Sequence, residues 1–253
     1  MAIQKTEAIV LKTMPFRSTS LIVTFYTREF GKIKGIVKGV RQEGEMRGSL
    51  YELFSRVEII YYEKLKSDLH LVSEGSLLES YASLREDLRR IATASYFVEL
   101  VEELTEFYDP HRPIFDLLDL SFRYLASISF EKIAAIFEIH LLSEIGLLPF
   151  LEACLGCEKQ VPEEGFFSIR QGGLLCEDCA RKMAQDAKPI EAQTLACMRY
   201  FVKHDFEISL KKSTPAYGLA PFRSIIRQFI ADRHSRPFKS LQFLEKIRPV
   251  LSI

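Results

Sequence analysis

The chain has 253 residues, 47% of them hydrophobic, with 34 Lys and Arg balanced by 34 Asp and Glu. That composition excludes a disordered chain and suffices for one large core or two to three small ones. No apolar run reaches the roughly 18 residues of a membrane helix, and the first residues lack the apolar stretch of a secretory signal, so the chain reads as cytoplasmic.

The first ~80 residues read as strands. The stretches "TEAIVLKTM", "SLIVTFYTREFGKIKGIVKGV" (broken at Phe30-Gly31), "LFSRVEIIYYEK" and "DLHLVSEGSLLES" give about five strands. Five short strands in that length predict a small closed barrel, with Gly35 and Gly39 at its sharp bends. The polar segment 41–49 is a mobile loop by composition.

From Leu84 the period becomes helical, with Leu84, Leu88, Ile91, Val98 and Val101 on one face and Ser83 and Glu86 placed as a capping box. "RPIFDLLDLSFRYLAS" and "FEKIAAIFEIHLLSEIG" predict two more helices. The second is apolar nearly all round and so belongs in the core, with His140 a satisfied core residue. "PIEAQTLACMRYFVKH", "LAPFRSIIRQFIADRH" and "SLQFLEKI" follow as helices. The expected class is α+β: a five-stranded barrel domain over 1–82, then a mainly helical domain over 83–253 with a metal-binding subdomain inserted at 150–185.

That subdomain is marked by Cys154, Cys157, Cys176 and Cys179, spaced C-x₂-C-x₁₈-C-x₂-C. Two thiolate pairs on tight turns, joined by the hairpin "GFFSIRQGGLLC", complete a tetrahedral site for one structural Zn2+. Four thiolates leave no open position for a catalytic water, and the five histidines form no metal-ligand spacing. No nucleophile motif, P-loop or dinucleotide fingerprint is present, and the carboxylate pairs Glu102-Glu103 and Glu163-Glu164 read as solvated surface. The chain is therefore expected to be no enzyme, with no catalytic residue assigned. Cys197, among apolar helix residues, reads as an inert buried thiol.

The charge is unevenly placed. Residues 84–153 carry 6 Lys and Arg against 13 Asp and Glu, and residues 199–253 carry 11 against 4. Between Lys12 and Arg41 lie Lys12, Arg17, Arg28, Lys32, Lys34, Lys38 and Arg41 with the single acid Glu29. Strand alternation in "GKIKGIVKG" turns Ile33, Gly35 and Val37 to the barrel core and Lys32, Lys34 and Lys38 outward. The outward lysines, near Phe16, Phe25, Tyr26 and Phe30, are either a groove for single-stranded nucleic acid or a solubilising face.

The stretches "EAIVLKTMPFRSTSLIVTFYT", "GKIKGIVKGVR" and "LLPFLEACLGCEKQ…FS…GGLLCEDC" together resemble the RecO family of bacterial recombination-repair proteins, across essentially the whole chain. The resemblance implies an OB-fold barrel and a zinc-bearing form. It also implies a mediator that binds single- and double-stranded DNA, anneals complementary strands, and works with RecR and RecF to load RecA onto DNA coated by single-strand binding protein. Its location would be cytoplasmic and nucleoid-associated. The nucleic-acid-binding residues expected are Lys12, Arg17, Lys32, Lys34, Lys38, Arg41, Arg223 and Arg227. Arg223 and Arg227, one helical turn apart beside the stripe Ile225, Ile226, Phe229 and Ile230, would hold either the acidic tail of single-strand binding protein or DNA. The competing functions are an adaptor whose barrel binds protein and a zinc-dependent nucleic-acid enzyme.

Overall fold

The computed structural model describes residues 2–40, 46–64, 67–183, 186–214 and 216–247. Five strands close into a barrel: β1 (Ile3–Phe16), β2 (Ser20–Thr27), β3 (Gly31–Val37), β4 (Arg56–Tyr62) and β5 (Leu69–Glu79). Their order around the barrel is β1-β2-β3-β5-β4, with β4 returning to β1 and the single parallel pair between β3 and β5. This is the five-stranded Greek-key barrel of the OB fold. Alternate residues Ala8, Val10, Val23, Phe25, Ile33, Val37, Val57, Ile59, Tyr61 and Val72 fill it.

Gly35 allows the closure in a specific way. A Cβ there would lie 2.5 Å from Val72 Cγ2 and 3.3 Å from the Phe25 ring, so only a bare backbone lets β3 approach β5. Gly39 turns the chain out of β3 at φ +74°, a conformation open to glycine without strain. In the segment expected to be a mobile loop, Met46–Tyr51 form a turn of 3-10 helix, while residues 41–45, with Arg41, lie outside the described residues.

A second 3-10 turn (Ala82–Glu86) leads into α1 (Leu88–Leu104), followed by α2 (Arg112–Tyr124) and α3 (Phe130–Glu144). The expected capping box at Ser83 and Glu86 does not form. Both residues are taken up in the 3-10 turn, and Asp87 caps α1 instead, its carboxylate accepting from the backbone N–H groups of Arg89 and Arg90. Next come the strands β6 (Gly165–Ser168) and β7 (Gly173–Leu175) and the helix α4 (Glu177–Met183). β8 (Lys188–Ile190), α5 (Ala192–Lys203), α6 (Phe206–Lys211), α7 (Ala216–Arg233) and α8 (Lys239–Ile247) complete the order.

Two compact units are present. One comprises Met1–Ser127 with the segment from Phe243 on; the other comprises Ile128–Gln242. In the second unit α3 is the central helix, packed by α5, α6 and α7, and Ile133 through Ile139 are all buried in it. His140 meets the edge of the Phe206 ring, and its Nε2 has no hydrogen-bond partner among the described residues, so it is packed without being satisfied. Cys197 is buried as expected, and burial pushes its thiol pKa up. Among the described residues no helix is long and apolar enough to cross a membrane.

Candidate nucleic-acid interface and metal centre

The outer face of β1, β2 and β3 carries a groove of about 470 Å3 lined by Lys12, Met14, Ile22, Thr24, Lys34, Ser67, Asp68, Leu69 and Glu102. Register places these side chains in two rows. Lys12 pairs with Thr24, Thr24 with Lys34, and Lys34 with Leu69. Met14 pairs with Ile22, Ile22 with Ile36, and Ile36 with Leu71. The first row presents the exposed cations Lys12 and Lys34 on either side of the buried Thr24 and ends at Leu69, and the second is apolar, so phosphate and base could be met side by side.

A bulge between Val10 and Lys12 sets this arrangement on β1. Ala8 and Val10 face the core, so strict alternation would send Lys12 inward too. The extra residue Leu11 reverses the parity, and Lys12 and Met14 emerge exposed on the groove side.

Lys34 is exposed, with its ammonium 4.7 Å from the centre of the Phe107 ring. Lys38 is exposed just beyond β3, and Arg17 is exposed at the β1–β2 turn, its guanidinium 5.3 Å from the Phe16 ring. Lys32 departs from the expected outward stripe: it is only 3% exposed. It lies on the outer barrel face, but the end of α1 and the segment after it cover that face. Its ammonium donates to the carbonyl of Glu102 and to that of Thr105 at 2.6 Å, and rests 4.6 Å from the Phe107 ring. Burial lowers its pKa, against the opposing pull of Glu102, Glu106 and Glu103. Lys32 is thus a C-terminal anchor of α1 and is not available to a ligand.

Of the four rings expected beside the lysines, Phe16 lies under Arg17, and the other three are taken up in packing. Phe25 is in the barrel core, Tyr26 is fully buried, and Phe30 packs edge-on against Tyr61. The aromatic ring beside the groove cation Lys34 is Phe107, contributed by the segment after α1, whose backbone pairs with Lys32. Glu102, expected on a solvated surface, lines the groove and holds Lys12 at 3.0 Å. Neither residue was legible at this face, because both come from far along the chain.

Arg223 and Arg227 of α7 turn inward. Arg223 Nη2 lies 3.5 Å and Arg227 Nε 3.2 Å from Oε1 of Glu138, a carboxylate on α3 with no exposed surface. A buried charge demands paired countercharge, and the two arginines supply it. Their side chains are only 13% and 21% exposed, which leaves little of either for an acidic peptide or for DNA.

The four cysteine sulfurs Cys154, Cys157, Cys176 and Cys179 lie within 4.8 Å of one another. The expected hairpin forms from β6 and β7, and β8, absent from the sequence reading, adds a third strand on the far side of β6. The first pair lies on a turn closed by Cys154 N–H donating to the Lys159 carbonyl at 2.9 Å. The second pair brackets the start of α4, where the Ala180 N–H donates to the Cys176 carbonyl. Gly156 has no room for a side chain: a Cβ would sit 2.9 Å from Cys179 Sγ and 2.7 Å from Met183 Sδ.

The donor set fits a metal ion. Cys157 and Cys176 sulfurs are 3.7 Å apart, and a tetrahedron with metal–sulfur bonds of about 2.3 Å has edges of about 3.8 Å. Burial acts to raise the Cys154 pKa, but backbone N–H groups of Cys176, Gly156 and Cys157 overcome it and lower it, whereas neighbouring sulfurs push the Cys179 and Cys157 thiols up, so the cluster holds one thiolate readily and needs a cation to hold more. Arg199 of α5 fastens this segment from outside, donating to the carbonyls of Leu151, Pro162 and Val161 at 3.0, 2.8 and 2.6 Å. Sequence inspection gave no sign of that clamp.

Comparison with known proteins finds family models along most of the chain. The model described as "Recombination protein O N terminal" matches residues 1–81, and "Recombination protein O C terminal" matches residues 85–242. Among similar curated proteins is one named DNA repair protein RecO from Syntrophus aciditrophicus, 30% identical over 252 residues, covering 98% of this chain and 97% of its own. Proteins of the same name from Pelotomaculum thermopropionicum and Halalkalibacterium halodurans are 31% and 29% identical, covering 97% and 96% of this chain and 95% and 94% of theirs.

Proposed function

Because the chain belongs to the recombination protein O family, we propose that it is a DNA-binding mediator that works without turnover chemistry. The family's role is DNA repair and recombination. On this reading the barrel holds single-stranded DNA in the groove along β1, β2 and β3. Phosphates meet Lys12 and Lys34, and bases lie along Met14, Ile22 and the Phe107 ring. The observation that carries it is the pair of cross-strand rows, one cationic and one apolar, on the open face of a closed OB barrel. Such a site is tolerant of sequence and sensitive to salt.

The finer activities proposed are binding of double strands, annealing of complementary strands, and loading of RecA onto DNA coated by single-strand binding protein. The partners proposed are RecR, RecF and the tail of single-strand binding protein, acting in the cytoplasm at the nucleoid. The metal proposed at Cys154, Cys157, Cys176 and Cys179 is one Zn2+. Four thiolates suit a closed structural site, where the ion supplies cross-linking and no reactive position. Arg17 and Lys38, both at the end of this face where β1 turns into β2 and β3 finishes, extend the phosphate track.

Filter binding of oligothymidylate across a salt series tests the barrel reading. Lys34→Glu is expected to weaken binding and to flatten the salt slope by at least about 0.7, the value for one phosphate contact on a single strand. Unchanged affinity would remove the groove from the DNA track. Absent single-strand binding in the unaltered protein would favour the adaptor function.

A further inference from the structure

The groove is less basic than the strands that form it. Lys12 and Lys34 line it, but so do Asp68 and Glu102, two cations against two carboxylates. Glu102 is the better placed of the acids. It lies in the last turn of α1, and its own backbone carbonyl is held by the buried Lys32 ammonium. Thr105, just past the helix, is held by the same ammonium at 2.6 Å, and Tyr108 N–H donates to the Lys32 carbonyl at 3.0 Å. The turn carrying Glu102 is therefore fixed to β3 at three points. Its carboxylate reaches across the groove wall to Lys12 Nζ at 3.0 Å, with 23% of the Glu102 side chain and 51% of the Lys12 side chain exposed.

We infer that Glu102 is a built-in competitor for phosphate: it occupies the Lys12 ammonium that a backbone phosphate of a single strand would take, and so sets how tightly the groove binds. This rests on the barrel reading above. The chemistry is an exchange of one oxyanion for another. A half-exposed ion pair is weak enough to open, because solvent screens it and little stability is lost with it. A phosphate entering the groove must displace the carboxylate, so Lys12 contributes less than one full phosphate contact. Lys34, which faces the Phe107 ring and no carboxylate among its described contacts, is the uncompensated cation of the row. The consequence is a moderated site, able to hold a strand and release it.

The test is oligothymidylate binding by the full chain at salt concentrations centred near about 0.1 M. The variants are Glu102→Gln, Glu103→Gln, Lys12→Gln, and Glu102→Gln combined with Lys12→Gln. The amide keeps the size of residue 102 and leaves its carbonyl on Lys32. Release of Lys12 to a full phosphate contact predicts binding tighter by up to about fivefold at about 0.1 M salt and a slope steeper by up to about 0.7. Glu103→Gln makes the same change in net charge one residue away without lining the groove, and is expected to gain much less. The double variant is expected to lose the gain, since no ammonium remains to be released.

If Glu102→Gln and Glu103→Gln tighten binding equally, the effect is a general field and the competitor role is overturned. If Glu102→Gln changes nothing while Lys34→Glu still weakens binding, the competitor role is likewise overturned and the barrel reading stands. If Lys34→Glu also changes nothing, the barrel reading falls and takes this inference with it. Thermal unfolding of each variant confirms that the barrel is intact.

Discussion

Lys32 and Lys34 are two residues apart on one strand and hold their ammonium groups over one ring, at 4.6 and 4.7 Å from the centre of Phe107, yet only Lys34 is exposed. The difference is the C-terminal end of α1, which covers Lys32 and takes its two hydrogen bonds. The two positions should therefore fail differently. Lys32→Met leaves the carbonyls of Glu102 and Thr105 without their donor and is expected to destabilise the barrel unit by about 2 kcal/mol. Lys34→Glu is expected to leave stability within about 0.5 kcal/mol and to weaken DNA binding. Urea unfolding separates the two; equal losses of stability would contradict the assignment.

The four-cysteine cluster predicts a different kind of loss. Cys176→Ser removes one of four thiolates, so the metal content of the purified protein is expected to fall from about one per chain toward zero, with residues 154–179 becoming susceptible to protease. The barrel, in the other unit, should keep its unfolding midpoint. Gly156→Ala is expected to weaken metal retention without touching a ligand, because its Cβ would press on Cys179 Sγ. Metal analysis after dialysis against chelator reads both, and full retention by Cys176→Ser would rule out the four-cysteine site.

How much of this was readable beforehand depends on range. The five barrel strands, the central α3 and the cysteine hairpin were legible because each is carried by a local period or a local spacing. The cover over Lys32 was not, since Glu102 and Thr105 lie about 70 residues further on. The bulge that turns Lys12 outward hides in an unbroken apolar run, where parity cannot be counted from sequence. β8 has three residues, one of them Pro189, and has no strand pattern of its own. The inward turn of Arg223 and Arg227 needed knowledge that Glu138, on a helix apolar on nearly every side, sits opposite them. Charged residues are the hardest to place in this chain, because their partners decide their exposure and the partners are distant.

That pairing makes a strong prediction for the second unit. Replacing both Arg223 and Arg227 by Gln strands the Glu138 carboxylate without countercharge, and the expected cost is about 3–5 kcal/mol. Restoring neutrality with Glu138→Gln in the same chain should recover part of it, which identifies charge and not volume as the cause. Thermal or urea unfolding measures both. A double-arginine variant as stable as the parent would show the arginines to be dispensable to the fold and return them to the list of ligand-binding candidates.

In the barrel unit, Asp119 of α2 gathers three donors. The Tyr81 hydroxyl donates to it, as do Arg56 Nη1 at 2.9 Å and Arg123 Nε at 3.0 Å. Burial acts to raise its pKa, but these hydrogen bonds and the Arg56 charge prevail and hold it below the ordinary carboxylate value. An acid whose pKa is lower in the folded chain stabilises the fold above its unfolded pKa of about 3.9 and loses that contribution as pH falls through the folded value. Asp119→Asn is therefore expected to cost about 2 kcal/mol at neutral pH, modest because Arg123 is half-exposed. The gap between parent and variant should hold down to about pH 4 and close below it, as the parent's own carboxyl takes up its proton. Urea unfolding of the two proteins at a series of pH values from about 7 to about 3 gives the curve. A gap that stays constant across the series would mean that the lost contribution is packing, with no part of it carried by the ionised carboxylate.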